Sequence, residues 1–585
     1  MFEGITRISD NGVFVKVTQN ITENVNLLNT HLVFVDSEKR LLGEIEEVNI
    51  GEIKVRLLGE FVDGKLRGGV IRKPLLNATI RQVNQEEIPL LLGERTNQSL
   101  TLGGNPFYNN YPVNIDINDF FSGHFSVLGN SGSGKSWGLA RIIQNVFSNQ
   151  NVPPFKANMF LFDISSEYSS AFRVLNQFNP NFNYRVFTSR ENNLGEDEPL
   201  KIPIWLLESE DLALLLRCDS TSQVPIIERM LKLVRIFAET KEDANSYKNH
   251  LVAKAIMMVL YSNQTAANKR NDIFTIVESC KTPQFHLDAE IEGIGYVRKF
   301  HECFQIDKTG QFSESVLITK YVSSFMNNEF DDFEPNGQSF YTIHDLEKAL
   351  EFTLISDGWF KNENSYVDAM KIKVRLHSLV TGPYRNIFNY PNYVDLEQYL
   401  SSLLINNGRR YQLININLED MDDEIASVIT KVFTRLILNF SKKIPNRGSI
   451  PFHILVEEAH RYIKSNDDDK NIIGYSIFER VAKEGRKYGV LLGIISQRPV
   501  ELSETVISQC SNFIIFKTSH PRDLEYIKQM IPNISEEIID KQKGLQSGTC
   551  LGFGSAFRIP TIVKLEKPNP TPNSNNSNIV QSWMN

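Results

Sequence analysis

The sequence predicts an α/β fold: a parallel sheet covered by helices, led by a small β-barrel and interrupted by a helical block. Three observations carry this. Short apolar strands alternate with helix-period segments in two stretches, near 124–204 and 405–567. A glycine-rich turn, "GNSGSGKS" from Gly129, sits between one such strand and one such helix. Residues 1–93 instead read as β-rich runs separated by Gly, Asn and Asp turns.

Taken in order, "GVFVKV", "HLVFVD", "LLGEIEEV", "EIKVRLLGEF" and "GGVIRK" are broken by DN, DS, NIG and DGK, the spacing of a small antiparallel barrel. Residues 94–119 are polar, carry "TNQS" and "GGNP", and read as a connector. "HFSVLG" is a buried strand. Ser136 to Phe147 is helical, with Leu139, Ile142, Ile143 and Val146 on one face. "NMFLFDISSEY" and "YRVFTS" follow as strands. Between about 205 and 404 the apolar spacing is three and four, set by Leu212, Leu215, Leu216, Ile227, Met230, Leu231, Val234 and Phe237; this is a helical insertion. The strand–helix alternation resumes with "YQLININL", a helix from Asp423 to Phe440, "FHILVE", a helix ending near Lys487, "VLLGIIS", "NFIIFK", a helix through Tyr526, and "TCLGFG" with "RIPTIVKL". The predicted division is 1–93 barrel, 94–204 and 405–567 the two parts of the α/β core, 205–404 the insertion, and 568–585 a flexible tail, "PNPTPNSNNSN", too polar to fold.

Composition narrows the class. At 41% hydrophobic and 10% aromatic residues, the 585-residue chain can bury substantial cores. A net charge of −8 argues against coating nucleic acid with the whole surface, but not against a locally basic channel. Five cysteines without a CxxC pair read as reduced thiols and give no zinc site. "MFEGITRISDNG" has neither a basic n-region nor an apolar h-region, and no run approaches the length of a membrane helix, so a cytoplasmic protein is expected.

The glycine-rich turn fits G-x-x-x-x-G-K-[ST] in its required strand–helix setting. Gly129, Asn130, Ser131, Gly132, Ser133 and Gly134 let successive amides form an anion nest. The following helix adds its unpaired N–H groups. Lys135 supplies a fixed positive charge for the outer phosphates, and the Ser136 hydroxyl a magnesium ligand. The expected cofactors are ATP and Mg²⁺.

Turnover needs acids beside that loop. "FHILVEEAHRYI" brings Glu457 and Glu458 to the carboxyl end of a buried strand, the first to hold Mg²⁺, often through water, and the second to polarise the attacking water. Glutamate stands at the first position, where aspartate is commoner. Gln497, at the end of "VLLGIISQRP", is placed to sense the γ-phosphate or position the water. In "FERVAKEGRKYGV" an exposed arginine suits catalysis in a neighbouring subunit; Arg486 is the first candidate and Arg480 the second. Helix-end cations complementing the dipole account for the same residues. Visible pore signals are weak: "SNDDDK" is acidic, and Arg409, Arg410 and Lys464, which could contact phosphate, read more readily as solvated surface cations.

In combination, the β-rich start, "LGNSGSGKS", "DISSEY", "VEEAH", "KEGRKYGVLLGIISQRP" and the closing "RIPTIVKL" resemble the HerA branch of the HerA/FtsK ATPases, over most of residues 1–565. The resemblance implies a HAS barrel and a RecA-like core in a homohexamer that hydrolyses ATP at subunit interfaces and moves double-stranded DNA through its channel. By matched position it carries phosphate and magnesium binding to Lys135 and Ser136, the Walker B pair to Glu457 and Glu458, the sensor to Gln497, and the trans-acting arginine to Arg486. Asp163 and Glu167 match an acidic motif and His460 a neighbouring position, none with an assigned role. The resemblance further implies a nuclease or sirtuin-like NAD-hydrolase effector docked on the barrel, in DNA processing or anti-phage defence. The alternative is a nucleotide-gated ring scaffold that licenses the effector without processive movement.

Overall fold

Alternating valines build the first unit. In β2 (Gly12–Val17), Val13, Val15 and Val17 are buried while Lys16 is exposed, the period-2 pattern of a sheet with one covered face. Residues 2–10, 12–18, 26–36, 39–148, 154–190, 195–240, 242–330, 339–356, 363–465, 472–530, 541–574 and 583–584 are described by this computed structural model. β1 (Phe2–Ser9), β2, β3 (His31–Val35), β4 (Arg40–Asn49), β5 (Glu52–Val62), β6 (Lys65–Gly68) and β7 (Thr79–Gln82) form one antiparallel sheet in the order β1-β2-β5-β4-β3-β7, with β6 on β5. The sheet curls until β1 and β7 lie side by side.

The second sheet has twelve strands. β8 (Ser99–Asn105), β9 (Tyr111–Asp116), β10 (His124–Leu128), β11 (Met159–Asp163), β12 (Tyr184–Thr188) and β13 (Glu198–Pro199) precede the helical block. Two small hairpins stand apart from the sheet: β14 (Glu290–Gly293) with β15 (Tyr296–Lys299), and β16 (Ile405–Asn406) with β17 (Arg409–Arg410). β18 (Leu413–Asn417), β19 (Phe452–Val456), β20 (Val490–Ser496), β21 (Cys510–Phe516), β22 (Thr549–Gly554) and β23 (Thr561–Leu565) complete it. The order is β13-β12-β18-β11-β19-β20-β10-β21-β22-β23-β8-β9. From β13 to β21 all neighbours are parallel; from β22 outward they are antiparallel. Every residue of β10, β11, β18, β19 and β20 is buried, which is why these strands read as unbroken apolar runs.

The expected connector at 94–119 is therefore a strand hairpin: β8 and β9 join the main sheet through β23. Its Thr, Asn and Gly residues hid the period, because Asn105 and Asn114 are buried yet satisfied, Asn114 by Thr101 at 2.6 Å. Among the described residues the segment 205–404 is mainly helical, with the β14–β15 hairpin and short 3₁₀ turns between helices, and Leu212, Leu215, Leu216, Ile227, Met230, Leu231 and Val234 are buried in the large core. Arg435, nine-tenths or more buried on the helix Asp423–Lys443, donates to Asp211 at 2.7 Å and ties this block to the sheet. The tail also differs from expectation. Residues 566–574 lie along α1 (Lys135–Ser148), held by hydrogen bonds from side chains of the core.

Candidate nucleotide site

The parallel strands all end at one edge, and there β10 turns into α1. Gly129 has φ +148°, and a Cβ there would stand 2.6 Å from Phe516 and 2.9 Å from Ser133 Oγ; Gly134 has φ +111°. Both positions therefore need glycine. Ser133 donates from Oγ to the Asn130 carbonyl at 2.6 Å, and Lys135 Nζ donates to the same carbonyl at 3.0 Å. Behind the loop, Gly548 N–H bonds the Ser133 carbonyl and Ser547 Oγ the Gly132 carbonyl, each at 3.0 Å. The first amides of α1 have no intrahelical acceptor. Burial lowers the Lys135 ammonium's proton affinity, against which Glu458, Glu457 and Glu167 hold it charged.

β19 delivers the two acids in different environments. Glu457 is buried, with its carboxylate accepting from Ser165 N–H at 3.4 Å. Burial raises its carboxyl well above the ordinary range, and Asp163 and Glu167 add to that. Glu458 has left-handed backbone, φ 46° and ψ 45°, an arrangement costing a non-glycine residue about 1–2 kcal/mol. This turn aims its side chain back toward Lys135. Burial raises its carboxyl too, opposed by Lys135, Arg461 and hydrogen bonds from Gln497. Gln497, at the tip of β20 between β10 and β19, thus reaches the second acid.

Asp163 closes β11 and is fully buried. It accepts the amides of Glu167 and Tyr168 at 3.1 and 3.2 Å, and the Asn415 side chain at 3.0 Å. It organises the loop that carries Glu167, whose carboxyl burial raises and the nearby Ser136 hydroxyl lowers. Asn415 was missed in the sequence, although a polar residue inside the buried strand "LININ" is a signal. His460 lies on a 3₁₀ turn rather than a helix start, with Nδ1 3.2 Å from Ser496 Oγ.

The residues fit a magnesium nucleotide. Ser136, Glu457 and Glu167 offer only oxygen ligands, and Glu167 Oε2 and Glu458 Oε2 are buried without a hydrogen bond, so the site holds acceptors in search of a cation or water. Among the described residues no group of three His, Cys, Asp or Glu makes a complete cage. That suits an ion whose remaining ligands are phosphate and water.

Arg486 lies elsewhere. The expected helix through 487 is α-helical at Ile477–Arg480, forms a π-turn at Val481–Gly485, and regains one α-turn at Arg486–Tyr488. His124 Nε2 bonds the Ala482 carbonyl at 3.1 Å, fixing this turn at the start of β10. Arg486 is exposed at the edge of the sheet opposite the phosphate loop, the length of a strand away. Arg480 is engaged over the Tyr475 ring. Arg410 bonds Asn158, Arg409 and Lys464 are exposed, and "SNDDDK" falls outside the described residues except for Ser465.

Residues 102–290 match the family described as the central domain of helicase HerA. The DNA double-strand break repair helicase HerA of Sulfolobus acidocaldarius is 32% identical over 195 residues, 33% of this chain and 39% of that protein. The protein of the same description from Pyrococcus furiosus is 22% identical over 572 residues, 96% of this chain and 86% of its own length. The aligned stretch spans about a third to two-fifths of the Sulfolobus acidocaldarius, Sulfurisphaera tokodaii and Saccharolobus solfataricus relatives. VirB4 of Thermoanaerobacter pseudethanolicus superposes with a TM-score of 0.44 at 12% identity, covering 81% of this chain and 98% of that one. The fold assignment rests on the strand order itself. No helix among the described residues is long and apolar enough to cross a membrane.

Proposed function

We propose, from the match of residues 102–290 to the HerA helicase central domain, that this chain is a cytoplasmic, ATP-hydrolysing hexameric DNA translocase that works with an effector in DNA processing or defence. One observation carries the reading: Lys135, Ser136, Glu457, Glu458 and Gln497 belong to one strand edge, while the exposed Arg486 belongs to the other. A subunit so built completes its site only with a neighbour. Bound ATP with Mg²⁺ supplies the phosphoanhydride and the charge-neutralising ion. Gly129 to Ser136 hold the phosphates, with Ser136 and Glu457 on the metal side. Glu458 takes the proton of the attacking water, Gln497 orients that water, and Arg486 of the neighbouring protomer offsets transition-state charge.

The barrel supports a docking role for a nuclease or NAD-hydrolase subunit. Ile71 is 96% exposed, and Leu75 and Leu76 beside it are exposed as well. A scaffold reading draws on a different observation: of the three candidate phosphate contacts, Arg410 is committed to Asn158, which leaves Arg409 and Lys464. The two readings separate on one preparation. A translocase hydrolyses ATP faster with duplex ends, whereas a scaffold shows no such stimulation and keeps its effector when turnover is abolished. A protein that stays a single subunit at saturating ATP would overturn both.

A further inference from the structure

Three side chains on one face of α1 have no business with the sheet. Trp137, Arg141 and Gln144 follow the i, i+4, i+7 spacing of a single helical stripe. Each is taken by the polar segment after β23. Arg141 pairs with Glu566. Gln144 is only 4% exposed, and its amide is consumed from both sides: Oε1 accepts Asn569 N–H at 3.0 Å, while Nε2 donates to the Pro570 carbonyl at 2.9 Å and the Ala171 carbonyl at 3.2 Å. The Trp137 indole N–H donates to Ser574 Oγ at 2.8 Å. A buried glutamine in mid-helix is costly unless paired, so this stripe is a built seat for residues 566–574.

The other side of the segment is stitched to the loop after β11. Ser170 Oγ donates to the Thr571 carbonyl at 2.9 Å, and Asn573 N–H donates to the Glu167 carbonyl at 2.8 Å. Glu167 is therefore held through its backbone by the tail, while its carboxyl lies close enough to the Ser136 hydroxyl to be lowered by it. Trp137 is the residue after Ser136. The tail consequently ties the metal-side hydroxyl and the metal-side acid to each other from behind.

We propose that residues 566–574 are part of the nucleotide site, with the Asn573 amide and the Gln144 side chain acting as positioning groups that hold Glu167 against Ser136 for the magnesium-bound phosphate. This rests on the nucleotide reading above. It makes a specific demand: losing the seat weakens the magnesium-dependent part of nucleotide affinity and spares the rest.

The test uses the full chain and ADP, titrated by calorimetry with Mg²⁺ and with EDTA. Asn573→Pro removes the N–H that reaches Glu167, together with the side chain and some backbone freedom; Asn573→Ala loses the side chain but keeps the N–H and serves as the rescue; Gln144→Met removes the amide at similar volume. Asn573→Pro and Gln144→Met should weaken ADP binding about two- to tenfold in Mg²⁺, the worth of one hydrogen bond, and leave it unchanged in EDTA. Asn573→Ala should match wild type. Equal affinity of all four proteins in Mg²⁺ would overturn the proposal, as would a loss of the same size in EDTA or a lowered melting temperature with unchanged binding. Wild-type protein that binds no ADP would end the nucleotide reading itself, a result distinct from wild-type binding that the variants leave untouched.

Discussion

The carboxylate of Glu458 lies 3.3 Å from Nδ1 of His460, yet the two are not an ion pair. Burial holds the imidazole down at about 4, so it is neutral near pH 7, and its Nδ1 already faces Ser496 Oγ at 3.2 Å. Glu458 is left in a dry turn with one oxygen unsatisfied and its backbone in the left-handed region. Strain and an orphaned acceptor at one residue suit a group completed by a ligand, which in the proposed reading is the attacking water.

Glu458→Gln keeps the shape and removes the base. Nucleotide binding should persist and ATP hydrolysis should fall about 10²–10⁴-fold, the usual contribution of a positioned proton acceptor. Binding of a fluorescent ATP analogue beside a phosphate-release assay reads both. Full activity in the variant would assign the proton transfer to another group.

Lys135→Ala should act earlier in the sequence of events. Its ammonium bonds the Asn130 carbonyl and has three acids around it. Without it the same analogue should fail to bind, and the acids should repel what remains of the phosphate charge. Retained hydrolysis would remove this loop from the mechanism.

Arg486→Ala should abolish turnover by about 10³–10⁵-fold without loss of assembly. Given the strand-length separation from its own phosphate loop, the proposed ring should recover activity on mixing wherever a wild-type neighbour faces an intact site. Arg480→Ala should do far less, because that guanidinium already lies over Tyr475. Mixing experiments that rescue neither variant, with rings intact, would place the function within one subunit.

The phosphate loop, the two acids and Gln497 were legible because each sits where a buried apolar run stops, a boundary the sequence displays directly. The helices of the insertion were legible by their three-and-four spacing. Three features were not. The hairpin at 99–116 has polar residues inside the sheet, and only their partners across the chain, such as Thr101 with Asn114, reveal why. The left-handed Glu458 follows from tertiary packing and has no local signal, since nothing in "VEEAH" demands positive φ. The seated tail is polar and rich in proline and asparagine, a composition that alone cannot order itself; its order comes from Gln144 and Trp137, more than four hundred residues earlier.

Acid should loosen the molecule through its buried histidines. His124 accepts Leu492 N–H at Nδ1 (2.9 Å), so Nε2 carries the hydrogen and donates to Ala482; a second proton would set N–H against N–H. Burial, the largest cause, holds its pKa at about 4, and Arg486 pushes the same way. His31, beneath Tyr108 at the barrel's junction with β8, is also held at about 4 by burial. An unfolded histidine titrates near 6.5, so between pH 6.5 and 4 the unfolded chain binds more protons than the folded one, and stability falls as pH falls through that window. Below 4 both states are protonated and the loss levels off. Each residue contributes at most about 3 kcal/mol to this fall. The Glu457 and Glu458 carboxyls, raised by burial, act in the opposite direction, so the histidine share is read from the difference between wild type and His124→Gln in melting temperatures from pH 7.5 to 4.5. His124→Gln should start lower, because the Leu492 amide and Ala482 carbonyl lose a shaped partner, but should decline less steeply. Parallel curves for the two proteins would show that the acid sensitivity arises from other groups.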